Sequence, residues 1–175
     1  MTVLAENSES TLSQKVVTPS MQRGAVYPND FIGFTTKGLY GGDSNSDITI
    51  ATLQEPLRKD FKYNYIQDIG DIKGYADAKV MERVRKFGAG SGYTEGIVSS
   101  VTFSTPYGNI PAFPLCTLSD LLLINPIEKG DFATFGDAGS YIVNNDNMVV
   151  GMLLGFEEGF AYAMPSKNIL KFLQC

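Results

Sequence analysis

From Val26 onward, glycine, proline, asparagine and aspartate cut the chain into short apolar runs about ten residues apart. The runs are 31–34, 47–53, 97–103, 108–113, 140–143, 148–155 and 159–164. Runs this short and regular leave no room for ordinary helices and predict an antiparallel sandwich or barrel. In Ile48-Thr49-Ile50-Ala51-Thr52-Leu53, Ile48 and Ile50 share one face and Thr49 and Ala51 the other, as a strand requires. Residues 140–143, the polar turn 144–147 and residues 148–152 read as a hairpin. The C-terminus alone has a helical period: Ser166 is the expected N-cap, and Ile169, Leu170, Phe172 and Leu173 fall on one face behind it. An all-β chain closed by one short helix is the expected architecture.

Composition narrows the function. A formal charge of −5 leaves no basic surplus for neutralising phosphates, and Arg83, Arg85 and Lys86 are the only cationic cluster, so nucleic acid is excluded as the expected partner. The most apolar stretch, 118–127, is interrupted by Ser119, Asp120 and Asn125 and is too short for a membrane helix. Cys116 and Cys175 make no disulfide framework, and residues 1–14 lack the basic and apolar regions of a secretory signal. The expectation is an intracellular, cytoplasmic chain with no membrane contact. Residues 1–25, rich in serine, threonine and glutamate at the start, are expected to be a flexible tail.

Chemistry concentrates in Gly136-Asp137-Ala138-Gly139-Ser140, in a chain of 175 residues with no histidine. A hydrolytic serine needs a base, usually imidazole, and backbone N–H groups that hold the developing oxyanion. This turn suits the second requirement and lacks the first. Ser140 supplies the only hydroxyl of the turn. Cys116 has no histidine to deprotonate it and is expected to be a small, partly buried core residue.

Four segments occur in an informative order: Asp47 ahead of its apolar strand, the glycine-spaced stretch 84–98 with Gly88, Gly92 and Gly96, the turn at 136–140, and Gly159-Phe160-Ala161-Tyr162-Ala163-Met164-Pro165 leading into the helix. In this order they resemble the trypsin-like serine peptidases of the chymotrypsin fold, with the intracellular, narrow-leaf type of plant trypsin-like proteins nearest. The resemblance spans Asp47 to Leu173. It implies a chymotrypsin-like antiparallel β-barrel, the second barrel complete and the first partial. Residues 26–80 would be the first-barrel remnant and 81–175 the second barrel with the nucleophile turn.

Carried over by position, the resemblance makes Asp47 the triad aspartate, places Ala138 where the nucleophilic serine belongs, and assigns Gly136 with Ala138 to the oxyanion hole. Substrate would be met by Leu153, Leu154 and Gly155 through strand addition, and by a side-chain pocket walled by Phe132, Ala133, Gly159 and Phe160. Phe132 near the pocket base argues for a small or apolar side chain rather than lysine or arginine. The resemblance implies a protein or peptide substrate, no cofactor and no metal. Nothing in residues 1–46 matches the histidine-bearing turn, so the missing partner is expected to be an N-terminal segment of the same protease. As it stands the chain is expected to be inactive. Ala138 is either a replacement for serine that stops self-cleavage or the mark of a natural pseudoprotease, and a plain β-barrel interaction module is the reading from another class.

Overall fold

A computed structural model describes residues 13–17, 24–42, 45–55, 61–108 and 114–174. Its elements in chain order are β1 (Lys15–Val17), β2 (Phe31–Gly41), β3 (Ser46–Leu53), β4 (Tyr65–Ile66), β5 (Gly70–Asp71), β6 (Gly74–Tyr75), β7 (Arg83–Gly88), β8 (Gly92–Tyr107), β9 (Cys116–Pro126), β10 (Tyr141–Asn144), β11 (Met148–Glu157), β12 (Phe160–Pro165) and the helix α1 (Ser166–Leu173). The all-β expectation with one C-terminal helix holds. Two packing units divide the chain: Met1–Lys62 with Pro106–Thr117, and Tyr63–Thr105 with Leu118–Cys175.

In the second unit the strands run in the order β10-β7-β8-β9-β12-β11, and β10 pairs back onto β11, which closes a six-stranded antiparallel barrel. Strand β6 adds in parallel to β11 through Met148↔Gly74 and Val149↔Tyr75. Alternation sends Val84, Val98, Leu122, Ile124, Ile142, Val150, Leu153, Ala161 and Ala163 inward to one continuous core, which Phe132 joins from the segment between β9 and β10. Burying each large aliphatic or aromatic side chain there is worth about 1.5–3 kcal/mol. Residues 118–126, the most apolar stretch, are inside β9, where Leu118, Leu121, Leu122 and Ile124 are buried. In the first unit the described strands form an antiparallel sheet β1-β2-β3, with Leu39↔Ile48 and Tyr40↔Asp47 in register.

Three expectations need correction, and a fourth lies mostly outside the described residues. Lys15–Val17, assigned to the tail of residues 1–25, is a strand paired with β2, because Val16 buries its side chain beside that sheet. The boundary falls at residues 62 and 63 rather than 80 and 81, because β6 and the Ala76 N–H, which donates to Val149 O, tie 63–80 to β11. Strand β8 ends at Tyr107, and most of the expected strand 108–113 lies outside the described residues. Ser166 is the first helical residue rather than the cap: Pro165 takes the extended N-cap conformation, and the Ser166 hydroxyl donates instead to Ala76 O at 2.6 Å. On α1 the buried side chains are Ser166, Ile169 and Phe172, while Leu173 stays exposed.

Candidate active site

The segment 134–140 is a tightly wired turn. Asp137 N donates to Thr134 O at 3.1 Å, Ser140 N to Asp137 O at 3.0 Å, and Gly139 N to Leu153 O at 2.8 Å. Gly136 sits at φ +95, a region open to glycine and strained for other residues. The Asp137 side chain is wholly buried, whereas Gly136 and Ala138 on either side of it are exposed. The N–H groups of Gly136 and Ala138 make no hydrogen bond among the described residues. Two backbone donors without a partner among the described residues therefore stand on either side of Asp137 in the sequence of the turn, and position 138 carries a methyl group and no nucleophile.

The Asp137 carboxylate holds this shape. Its Oδ2 accepts from Lys86 Nζ at 3.0 Å, Ser91 Oγ at 2.7 Å and Thr134 N at 3.0 Å, and its Oδ1 from Gly90 N at 2.6 Å and Ser91 N at 3.1 Å. Lys86 Nζ also donates to Ser91 Oγ at 2.7 Å, and the Lys86 side chain is as fully buried as its partner. Burial alone would raise the Asp137 carboxyl, but the bonds from Ser91, Thr134, Lys86 and Gly90 outweigh it and bring the pKa down to about 2. Burial pulls the Lys86 ammonium below its ordinary value, against the Asp137 bond and charge. A cation and an anion sharing a dry cavity anchor the turn to β7 and to the loop that follows it. Gly88 is required by closeness: a Cβ there would lie 2.2 Å from Asp137 Oδ1.

Lys86 and Ser91 hold the Asp137 carboxylate, and the sequence reading missed both contacts. The sequence reading groups Lys86 with Arg83 and Arg85 as a cationic cluster, yet β7 alternates so that Val84, Lys86 and Gly88 face inward. Arg83 instead bonds Glu95 at 2.8 Å, and Arg85 reaches Asn147 Oδ1 at 2.5 Å. The signal was available: a lysine in the inward phase of a strand demands a buried carboxylate.

Beside the turn, β11 outruns its neighbour. Its ladder with β10 ends at Tyr141↔Met152, while that with β12 continues to Glu157↔Phe160. Leu153 is tied to the turn from both backbone atoms, N to Ser140 O at 2.9 Å and O from Gly139 N. Residues 154–157 consequently have a strand neighbour on one side only among the described residues.

The remaining expected site residues divide by environment. Phe132 and Ala133 are each 1% exposed within the core, and Phe132 O accepts from Thr94 Oγ at 2.8 Å, so their side chains belong to the interior rather than to an open pocket. Leu153 and Leu154 are buried as side chains and offer backbone only, while Gly155 and Phe160 are half-buried and Gly159 is exposed in the turn between β11 and β12. In the first unit Asp47 lies within β3, half-buried, and its Oδ2 accepts from Tyr107 Oη at 2.5 Å. Burial raises its carboxyl above the ordinary value, and the Tyr107 bond opposes that rise. Cys116 is a half-buried free thiol on the wall of a cavity of about 430 Å³ shared with Tyr40, and Cys175 lies outside the described residues.

No family model and no curated protein matches the chain. Solved structures do. A glutamic-acid-specific serine protease that uses a histidine triad in substrate binding superposes with a TM-score of 0.64 at 16% identity, over 82% of this chain and 72% of its own. The Cellulomonas bogoriensis chymotrypsin gives 0.61 at 18% identity over 83% and 74%. A homologue of alpha-lytic protease, N4, gives 0.61 at 22% identity over 86% and 74%. The chain has the chymotrypsin fold.

Proposed function

We propose that the chain binds an extended peptide along residues 154–157 of β11 and receives one peptide carbonyl oxygen at the N–H groups of Gly136 and Ala138, as the substrate-binding part of a serine endopeptidase. The observation that carries this reading is the juxtaposition of a strand edge that has no second neighbour among the described residues with a turn in which the Gly136 and Ala138 N–H groups have no partner there while the side chain between them is locked inside. A peptide strand satisfies the edge by main-chain hydrogen bonds, whatever its side chains. Its carbonyl then meets donors already ordered by the Lys86–Asp137 pair, so no reorganisation is needed as charge develops on the oxygen.

With serine at 138, the hydroxyl oxygen would attack the carbonyl carbon, the proton would pass to an imidazole, and the carbonyl oxygen would become the oxyanion. The resemblance assigns to Asp47, half-buried and bonded to Tyr107, the orientation of that imidazole. The imidazole would come from a histidine-bearing N-terminal segment of the same protease. The absence of a hydroxyl at position 138 and of any histidine from this sequence favours a second reading, a pseudoprotease that holds peptides without cutting them. Localisation inside the cell is part of the same proposal and rests on cysteine usage.

The deciding experiment uses Ala138→Ser. Alone, it is expected to be silent towards casein and a fluorophosphonate probe, because a hydroxyl without a base stays at its unactivated pKa and loss of the base costs several orders of magnitude. Joined to, or mixed with, the histidine-bearing segment, it is expected to label and to cleave. Labelling of the isolated variant shows that the base has been misplaced, and silence after complementation selects the pseudoprotease.

A further inference from the structure

Immediately before the turn, Phe135 leaves 88% of its surface in solvent, and its ring meets the half-buried Phe156 edge to face with 5.3 Å between centroids. One ring precedes Gly136 and the other belongs to the open stretch of β11, so the contact spans the two segments that flank the proposed peptide path. A phenylalanine this exposed gains little from burial, and its contact with Phe156 is an edge-to-face pair at ordinary aromatic separation. At that separation the rings are in van der Waals contact and no methylene fits between them. The space over Gly155 is taken as well: a Cβ on Gly155 would fall 2.4 Å from the Tyr162 phenol oxygen. Tyr162 is packed by Phe103 at 6.2 Å.

Building on the peptide-binding reading above, we propose that Phe135 and Phe156 form an aromatic lid over the side-chain space beside the turn, so that the peptide residue presenting its carbonyl oxygen to Gly136 and Ala138 is glycine or alanine. A strand laid on residues 154–157 projects alternate side chains to one face. Next to the turn that face meets the ring pair, while the Tyr162 phenol fills the opposite face of β11 over Gly155. A hydrogen or a methyl is accommodated with the rings together. Leucine or phenylalanine has to part them, losing the ring contact and exposing the half-buried face of Phe156. The lid therefore selects by exclusion rather than by a fitted pocket.

The test titrates N-acetylated tetrapeptides ending in Gly, Ala, Leu or Phe, whose terminal carboxylate supplies the oxygen, into the chain and into Phe135→Ala and Phe156→Gly, followed by amide chemical shifts. The chain itself is expected to bind the Gly and Ala peptides about tenfold tighter than the Leu and Phe peptides. Either variant is expected to abolish that preference by strengthening the larger peptides relative to the smaller ones. A preference for Leu or Phe in the unaltered chain, or an order unmoved by both variants, overturns the lid. Phe135→Ala removes a side chain that is almost entirely in solvent, so folding does not confound it. Indole supplies an arm independent of peptide binding: it is expected to shift the Gly155 and Tyr162 amides saturably in Phe156→Gly and not in the unaltered chain. Absence of that shift in the variant overturns the lid, whereas indole binding without any peptide binding supports the lid and overturns the peptide-binding function.

Discussion

At the scale of single residues, the turn is held by a charge pair that no solvent reaches, and that is a costly way to hold a loop. An uncompensated ion in a dry cavity loses far more than a hydrogen bond returns, so each member of the Lys86–Asp137 pair depends on the other. Lys86→Met leaves the carboxylate with Ser91 and three backbone donors but no counter-charge, and it is expected to cost about 3 kcal/mol, read from urea midpoints at neutral pH. The same titration carried into acid tests the cause. The Asp137 pKa is depressed from 3.8 to about 2, so the folded chain takes up the proton later than the unfolded chain. The stabilisation is thus complete above pH 4 or so and is lost as pH falls through about 2, an amount of about 2 kcal/mol for a shift of this size. A midpoint insensitive to Lys86→Met, or a flat acid limb in the unaltered chain, would mean that the pair is hydrated in solution.

Among the elements, the hairpin β10–β11 does most to place the site, since β11 supplies both the bonds to the turn and the open edge. Its own turn is organised by Asn144, which is buried. The Asn144 Oδ1 accepts from Asp146 N and Met148 N at 3.1 Å each, and Nδ2 donates to Glu82 Oε1 at 3.1 Å. Asn144→Ala is expected to lower stability by about 2 kcal/mol in urea melts, because two backbone donors and a carboxylate lose their partner; a change under half of that would show that water replaces the amide. This hairpin was legible in the sequence because asparagine and aspartate fall between two alternating runs, and so was the helix, whose Ile169 and Phe172 are buried as its period required. Strand β9 was not recognised as a strand, because Leu121, Leu122, Leu123 and Ile124 are consecutive and carry no alternation: a closed barrel and its flanking side chains cover both faces. The turn at Gly136 was legible as a local motif. The buried partner of Asp137 was not read, because Lys86 is distant in sequence and its meaning depends on the inward phase of β7, and the lid rings come from two segments that only the fold brings together.

For the molecule as a whole, the two packing units carry unequal protection. The second has a closed ring of six strands and the continuous core from Val84 to Ala163. The described sheet of the first unit has three strands, two of them edges, and its buried apolar side chains are Val16, Ala25, Tyr40 and Ile48. Edges and a small core make local opening inexpensive. Native-state hydrogen exchange is therefore expected to show the amides of β2 and β3 exchanging through an opening that β7, β10 and β11 do not share, with β10 and β11 the last to exchange. If β2, β3 and β11 all exchange at one rate with one denaturant dependence, the chain opens as a single cooperative body and the inequality is absent. The measurement also bears on completion of the proposed protease. A histidine-bearing segment that pairs with an edge of the β1-β2-β3 sheet has to slow exchange in β2 and β3 specifically, because it binds the closed form of that sheet and not the open one. Slowed exchange confined to β11 under the same conditions would place the added segment on the peptide edge instead and identify it as a ligand rather than a missing part of the fold.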